Sequence, residues 1–86
     1  MRLFVHDVKS GTCLTSDGGW TESLMEARDF GEPECAISSG RRSGHANLEI
    51  LATLDDGYPI LRVPLQEADR MTWPRPDLEY IGQDPG

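Results

Sequence analysis

The sequence predicts a single α+β domain in which four strands form a mostly antiparallel sheet, in the order ββαββ, with one main helix on one face. Two short stretches rich in β-branched and aromatic residues come first and are separated by a turn sequence. A segment that begins with proline and ends near glycines follows, which is typical of a helix. Two further extended stretches then flank the turn sequence Asp55-Asp56-Gly57.

The first two strands are predicted at residues 2–8 and 12–16. Lys9-Ser10-Gly11 supplies the turn between them, because glycine can adopt positive φ there. Asp17-Gly18-Gly19 ends the second strand. Trp20-Thr21 then resumes an extended segment, which leads to a short helical turn.

The main helix is predicted to begin at Pro33, since proline suits the first helical position. A capping-box sequence, Ser23-Leu24-Met25-Glu26, places one short helical turn before it. Gly40 or Gly44 is expected to end the main helix. The residues expected to face the sheet are Cys35, Ala36 and Ile37.

The last two strands are predicted at residues 47–54 and 58–65. The first of them alternates, so that Leu48 and Ile50 lie on one side and Glu49 on the other, as in a half-buried strand. In the second, Pro59 and Pro64 indicate either an edge strand or a strand in which both prolines lie near the ends. Leu61 and Val63 face one side of this strand, and Tyr58, Ile60 and Arg62 face the other.

The chain divides by composition into a domain at residues 1–65 and an acidic, proline-containing tail at residues 66–86. Three of the six prolines lie in this tail, and they remove hydrogen-bond donors and fix φ. The tail is therefore expected to be irregular, or docked on the domain or on another chain through its large apolar residues. These are Met71, Trp73, Leu78, Tyr80 and Ile81.

Size and charge limit the function. The chain has 86 residues, a formal net charge of -7 and a single lysine, Lys9. This balance provides no basic track for phosphates, so nucleic acid is not expected as a partner. No apolar run of about 20 residues predicts a membrane span. The N-terminal apolar stretch is too short for a secretory signal, so we expect a cytoplasmic protein.

Two sets of reactive residues have both a functional and a structural interpretation. The set His6, Cys13, Cys35 and His45 has the composition of a zinc site, but the spacing includes no close pair of ligands, so no metal is predicted. Cys13 and His6 could lie opposite each other in the first hairpin and imitate a thiolate–imidazole pair. Asp7 points to the other face and no oxyanion loop is evident, so we predict a core strand pair, no enzymatic activity and no cofactor.

Three short motifs resemble a pattern found in small, uncharacterised bacterial proteins. They are Gly11-Thr12-Cys13-Leu14, Gly19-Trp20-Thr21 and Ala27-Arg28-Asp29-Phe30. The resemblance covers residues 2–65. It implies an α+β domain with a short sheet, and it implies no activity.

These considerations predict a small binding or adaptor domain that uses a sheet face left uncovered by the helix, or the tail. The tail segment Trp73-Pro74-Arg75-Pro76 suits an extended recognition peptide. The partner is a second copy of the chain or another protein. The alternative is an acidic inhibitor that mimics nucleic acid and binds a basic partner. The candidate partner-contact residues are Trp73, Tyr80, Leu61 and Val63.

Overall fold

The computed structural model describes residues 1–73 and contains one five-stranded antiparallel sheet with the strand order β3-β2-β1-β4-β5. A helix, α1, and a single helical turn, α2, pack against it. The elements are β1 (Arg2–Asp7), β2 (Thr12–Leu14), β3 (Trp20–Thr21), α1 (Pro33–Ser43), β4 (Leu48–Thr53), β5 (Pro59–Pro64) and α2 (Leu65–Ala68).

The α+β class and the antiparallel pairing are confirmed, but the sheet has five strands rather than four. The additional strand is β3, in which Trp20 pairs with Leu14 of β2. A tight turn holds the two strands together, because the Gly19 amide donates to the Thr15 hydroxyl at 2.9 Å and the Thr15 amide donates to the Gly19 carbonyl. Two residues are too few for a periodic pattern, so the sequence indicated only an extended segment here.

Helix α1 begins at Pro33, as predicted, and of its two predicted ends the structure has Gly44, while Gly40 lies inside the helix. Pro33 occupies its first turn, and Gly44 ends it in the left-handed conformation at φ 74°. Ala36 and Ile37 are buried against the sheet, as expected. The prediction for Cys35 was wrong, because its side chain is exposed. The buried positions of α1 recur every three or four residues, and Cys35 falls outside that stripe.

Strand β4 is buried along its whole length rather than on one side only. On one face, Leu48, Ile50 and Ala52 belong to the main core beneath α1. On the other face, Leu51 packs in a second cluster with Phe4. The half-buried prediction was therefore wrong, because both faces of the sheet are covered at β4.

The cover on the second face comes from the loop between β3 and α1. Ala27 and the partly buried Leu24 pack on Phe4, Cys13 and Leu51. The loop is tied to the sheet by backbone hydrogen bonds: the Arg28 amide donates to the Leu14 carbonyl at 3.0 Å, and the Phe30 amide donates to the Leu3 carbonyl at 2.9 Å. The Asp29 carboxylate accepts the Leu3 amide at 3.1 Å. Residues of the Ala27–Phe30 motif thus have structural roles.

Packing continues past residue 65, where the sequence placed the start of the tail. Gly40 of α1 lets α2 approach closely, since a Cβ at that position would lie 3.1 Å from Cδ1 of Leu65. Trp73 is buried in the main core, and its indole Nε1 donates to the Ala68 carbonyl at 2.9 Å. Residues 66–73 are therefore docked on the sheet and α1. The predictions for Pro74, Arg75, Pro76, Leu78, Tyr80 and Ile81 lie outside the described residues.

Candidate functional site

A row of polar side chains crosses four strands on the sheet face opposite α1. The register places His6 of β1 between Cys13 of β2 and Glu49 of β4. The His6 Nδ1 lies 2.7 Å from the Glu49 Oε2, and the Glu49 side chain is only 12% exposed. Arg62 of β5 approaches the same carboxylate oxygen at 4.0 Å. We call these four residues the His6 row.

The Cys13 thiol is a poor nucleophile in this row. Burial, together with the negative charge of Glu49, raises the pKa of Cys13 to about 11, so the thiol stays protonated at neutral pH. The predicted placement of Cys13 opposite His6 is confirmed by the register. The carboxylate that orients the imidazole is Glu49, which sequence reasoning missed. The signal for it was that Glu49 shares its side of a largely apolar strand with Leu51.

Asp7 has a different role. Its carboxylate accepts the backbone amides of Lys9 and Ser10 in the β1–β2 turn, at 2.9 and 3.3 Å. Partial desolvation acts to raise the pKa of Asp7, but these hydrogen bonds and the nearby His45 more than offset it, and the pKa lies below its usual value. The His45 Nδ1 lies 3.6 Å from Asp7, and its ring stacks on Trp20 with the centroids 4.5 Å apart.

The four residues weighed for a zinc site are not assembled into one. Cys13 and His6 lie side by side in the His6 row, while Cys35 is exposed on α1 and His45 pairs with Asp7. Across residues 1–73, no group of three or more histidine, cysteine or acidic side chains is arranged to hold a metal ion.

Three of the four candidate partner-contact residues lie in or against the core. Val63 and Trp73 are each 7% exposed, and Leu61 packs against the same cluster. The side of β5 that carries Leu61 and Val63 faces the main core, and a bulge at Ile60, between the pairings Ala52–Leu61 and Thr53–Pro59, interrupts the alternation that the sequence predicted. Val63 and Trp73 are therefore buried within this fold, whereas Leu61 is only partly buried. Tyr80 lies outside the described residues.

The exposed apolar side chains of the β4–β5 hairpin lie at its turn and at the start of β5. Leu54, Tyr58 and Ile60 are 46%, 67% and 45% exposed. The Leu54 amide donates to the Tyr58 carbonyl at 2.8 Å, which holds the first two next to each other across the β4–β5 turn. We call these three residues the hairpin patch. Asp55 and Asp56, both exposed, lie in the turn between Leu54 and Tyr58.

A second surface is formed by the acidic loop that leads from β3 into α1. Its exposed carboxylates are those of Glu22, Glu26, Asp29, Glu32 and Glu34. Met25 lies within it and is 92% exposed. Arg2 contributes a cation at one point, since its Nε lies 3.7 Å from Asp29. We call residues 22–34 the acidic loop.

Neither helix within residues 1–73 has the length and apolar content needed to cross a lipid bilayer. No family model matches this chain, and neither a curated protein nor a solved structure matches it significantly. The resemblance to small bacterial proteins therefore stays a prediction, and functional reasoning depends on the surfaces described above.

Proposed function

We propose that this chain is a non-enzymatic protein-binding domain that engages its partner through the hairpin patch and the outer edge of β5. One observation carries the proposal. Of the five large apolar side chains that are exposed within residues 1–73, three belong to this single hairpin. Exposed apolar residues that cluster in this way commonly mark contact surfaces, whereas scattered ones need no explanation.

The position of β5 supports binding by strand addition. It is an edge strand, so one row of its backbone groups has no partner among the described strands. Pro59 and Pro64 stand at its two ends and cannot donate hydrogen bonds. An added strand is thus limited to the short stretch at residues 60–63, beside the exposed side chain of Ile60. This geometry suits one extended peptide segment.

Charge favours a different protein over a second copy as the partner. Two acidic side chains, Asp55 and Asp56, flank the hairpin patch, and the chain carries a net charge of -7. Two copies repel each other through this charge, whereas a partner with basic residues is attracted. The partner segment should therefore alternate apolar residues along an extended strand and carry a lysine or arginine near the acidic turn.

The experiment is affinity capture from extract of the native host, using the tagged full chain and mass spectrometry. The variant Tyr58→Ser/Ile60→Ser removes two of the three side chains of the hairpin patch, and Met25→Ser removes a more exposed apolar side chain elsewhere. Proteins captured by the wild type and Met25→Ser, but lost with the double variant, support the proposal. Capture that survives the double variant, or is lost equally with Met25→Ser, refutes it.

A second candidate function is that of an acidic inhibitor that binds a basic protein through the acidic loop. It is favoured by the concentration of exposed carboxylates at residues 22–34 around the fully exposed Met25. Such binding weakens steeply with salt. In the same capture experiment, Glu22→Gln/Glu26→Gln would then abolish binding while Tyr58→Ser/Ile60→Ser preserves it. The reverse pattern excludes this candidate.

We further propose a reducing, cytoplasmic setting for this function. It is supported by the two cysteines, which are not joined: Cys13 is buried on β2 and Cys35 is exposed on α1.

A further inference from the structure

A cleft of about 210 Å³ lies between the β2–β3 turn and the C-terminal half of α1. Leu14 and Phe30, both nearly buried, contribute its apolar surface. Arg28 and Arg42 contribute two cations, and Ser16 and Ser39 contribute hydroxyl groups. None of the residues that line the cleft is acidic, although acidic residues outnumber basic ones in the chain by 15 to 8.

Neither arginine of the cleft has a carboxylate partner within residues 1–73, a property that they share with Arg70. The guanidinium of Arg28 lies over the ring of Phe30, with 4.7 Å between its central carbon and the ring centroid. Such stacking holds the group in place and leaves its in-plane N–H donors free. Within residues 1–73, no ion pair includes Arg28 or Arg42. By contrast, Arg2, Arg41 and Arg62 each lie within ion-pair distance of a carboxylate.

Two acidic residues, Asp17 and Asp29, adjoin lining residues in sequence, and both carboxylates are engaged elsewhere. Asp29 accepts the Leu3 amide at 3.1 Å and the Gly31 amide at 3.0 Å. Asp17, in the turn beside Ser16, accepts the Thr15 hydroxyl and the Gly19 amide. These hydrogen bonds lower the pKa of Asp17 below its usual value and keep its carboxylate within its own turn. It therefore does not neutralise the two arginines by a direct contact.

We propose that this cleft binds a small ligand that carries an oxyanion, a phosphate or carboxylate group, attached to a flat apolar body. Paired guanidinium groups recognise these oxyanions through charge-assisted hydrogen bonds, and the serine hydroxyls add neutral donors. Leu14 and Phe30 provide an apolar surface for the ligand body. The volume lies below that of typical sites for drug-sized molecules, so the ligand is small. This site is separate from the hairpin patch.

The test is a titration of the ¹⁵N-labelled full chain at low ionic strength, in which NMR measures the change in amide chemical shifts. The probes are phenyl phosphate, inorganic phosphate and benzoate. We expect saturable shifts at Arg28, Ser39 and Arg42 with phenyl phosphate, and binding weakened by roughly tenfold or more in Arg42→Gln. Tighter binding of phenyl phosphate than of inorganic phosphate supports the apolar surface, and a response to benzoate extends the ligand class to carboxylates.

The matched control is Arg41→Gln, which removes the neighbouring arginine that pairs with Asp69 at 2.6 Å outside the cleft. It should leave the affinity unchanged. Arg28→Lys keeps the charge at the second position while removing the flat guanidinium, so it should weaken binding without unfolding the chain. Shifts that do not saturate with any probe, binding of inorganic phosphate as tight as that of phenyl phosphate, or equal losses in Arg41→Gln and Arg42→Gln, overturn the proposal.

Discussion

Replacing Trp73 by alanine tests whether residues 66–73 belong to the folded body. The side chain is 7% exposed and packs in the cluster that lies beneath α1. A buried tryptophan removes on the order of 150–250 Å² from water. At about 25 cal/mol per Å², this corresponds to roughly 4–6 kcal/mol as an upper value. Tryptophan-to-alanine substitutions in cores cost about 3–5 kcal/mol, and we expect a loss in this range.

The variant Trp73→Phe separates the apolar packing from the hydrogen bond. It keeps an aromatic ring but removes the Nε1 donor, which leaves the buried Ala68 carbonyl without its partner. The expected cost is about 1–2 kcal/mol. A chain of this size is stabilised by only about 5–10 kcal/mol in total, so the alanine variant should lose much of its cooperative unfolding transition.

The assay is urea unfolding followed by far-ultraviolet circular dichroism, because the substitution itself alters tryptophan fluorescence. Met25→Ala is the control, since that side chain is 92% exposed and its removal should change the free energy of unfolding by less than about 0.5 kcal/mol. The reasoning fails if Trp73→Ala unfolds within about 1 kcal/mol of the wild type.

Two further predictions concern the His6 row. Folded Cys13 keeps its proton up to about pH 11, whereas an unfolded thiol loses it near pH 9. The free energy of unfolding should therefore fall by up to about 3 kcal/mol as the pH rises through this window, in the wild type and Cys35→Ser but not in Cys13→Ala. Equal slopes in urea unfolding for all three would contradict this. Glu49→Gln should lower the pKa of Cys13, measured by thiol titration, because it removes a nearby negative charge. It should also lower the free energy of unfolding by about 1–2 kcal/mol, because the hydrogen bond to His6 loses its charge. An unchanged thiol pKa would refute the coupling.

Local chemistry explains which parts of the fold could be predicted. The limits of α1 follow from Pro33 and Gly44, whose backbone preferences act without help from the rest of the chain. The pairing of His6 with Cys13 follows from the short β1–β2 turn, which sets the register. These features depend on residues that are close in sequence.

The features that sequence reasoning missed depend on contacts between distant segments. Alternation along β5 separates Val63 from Ile60, but it does not say which side faces α1. The sequence left open whether Trp73 docks on the domain or on another chain, because a proline-rich composition does not distinguish the two; the structure buries it in the main core. The contact between His6 and Glu49 joins residues that are 43 positions apart. Strand β3 was not predicted as a strand because two residues are too few to show an alternating pattern.

The central position of β1 has a consequence for biosynthesis. Its partner on one side, β2, follows within a few residues, but its partner on the other side, β4, leaves the ribosome only after α1 has been made. Until then Leu3, Phe4 and Val5, all fully buried in the finished molecule, lack half of their neighbours. During that interval β1 is an apolar strand with one unpaired edge, which makes the nascent chain prone to aggregation.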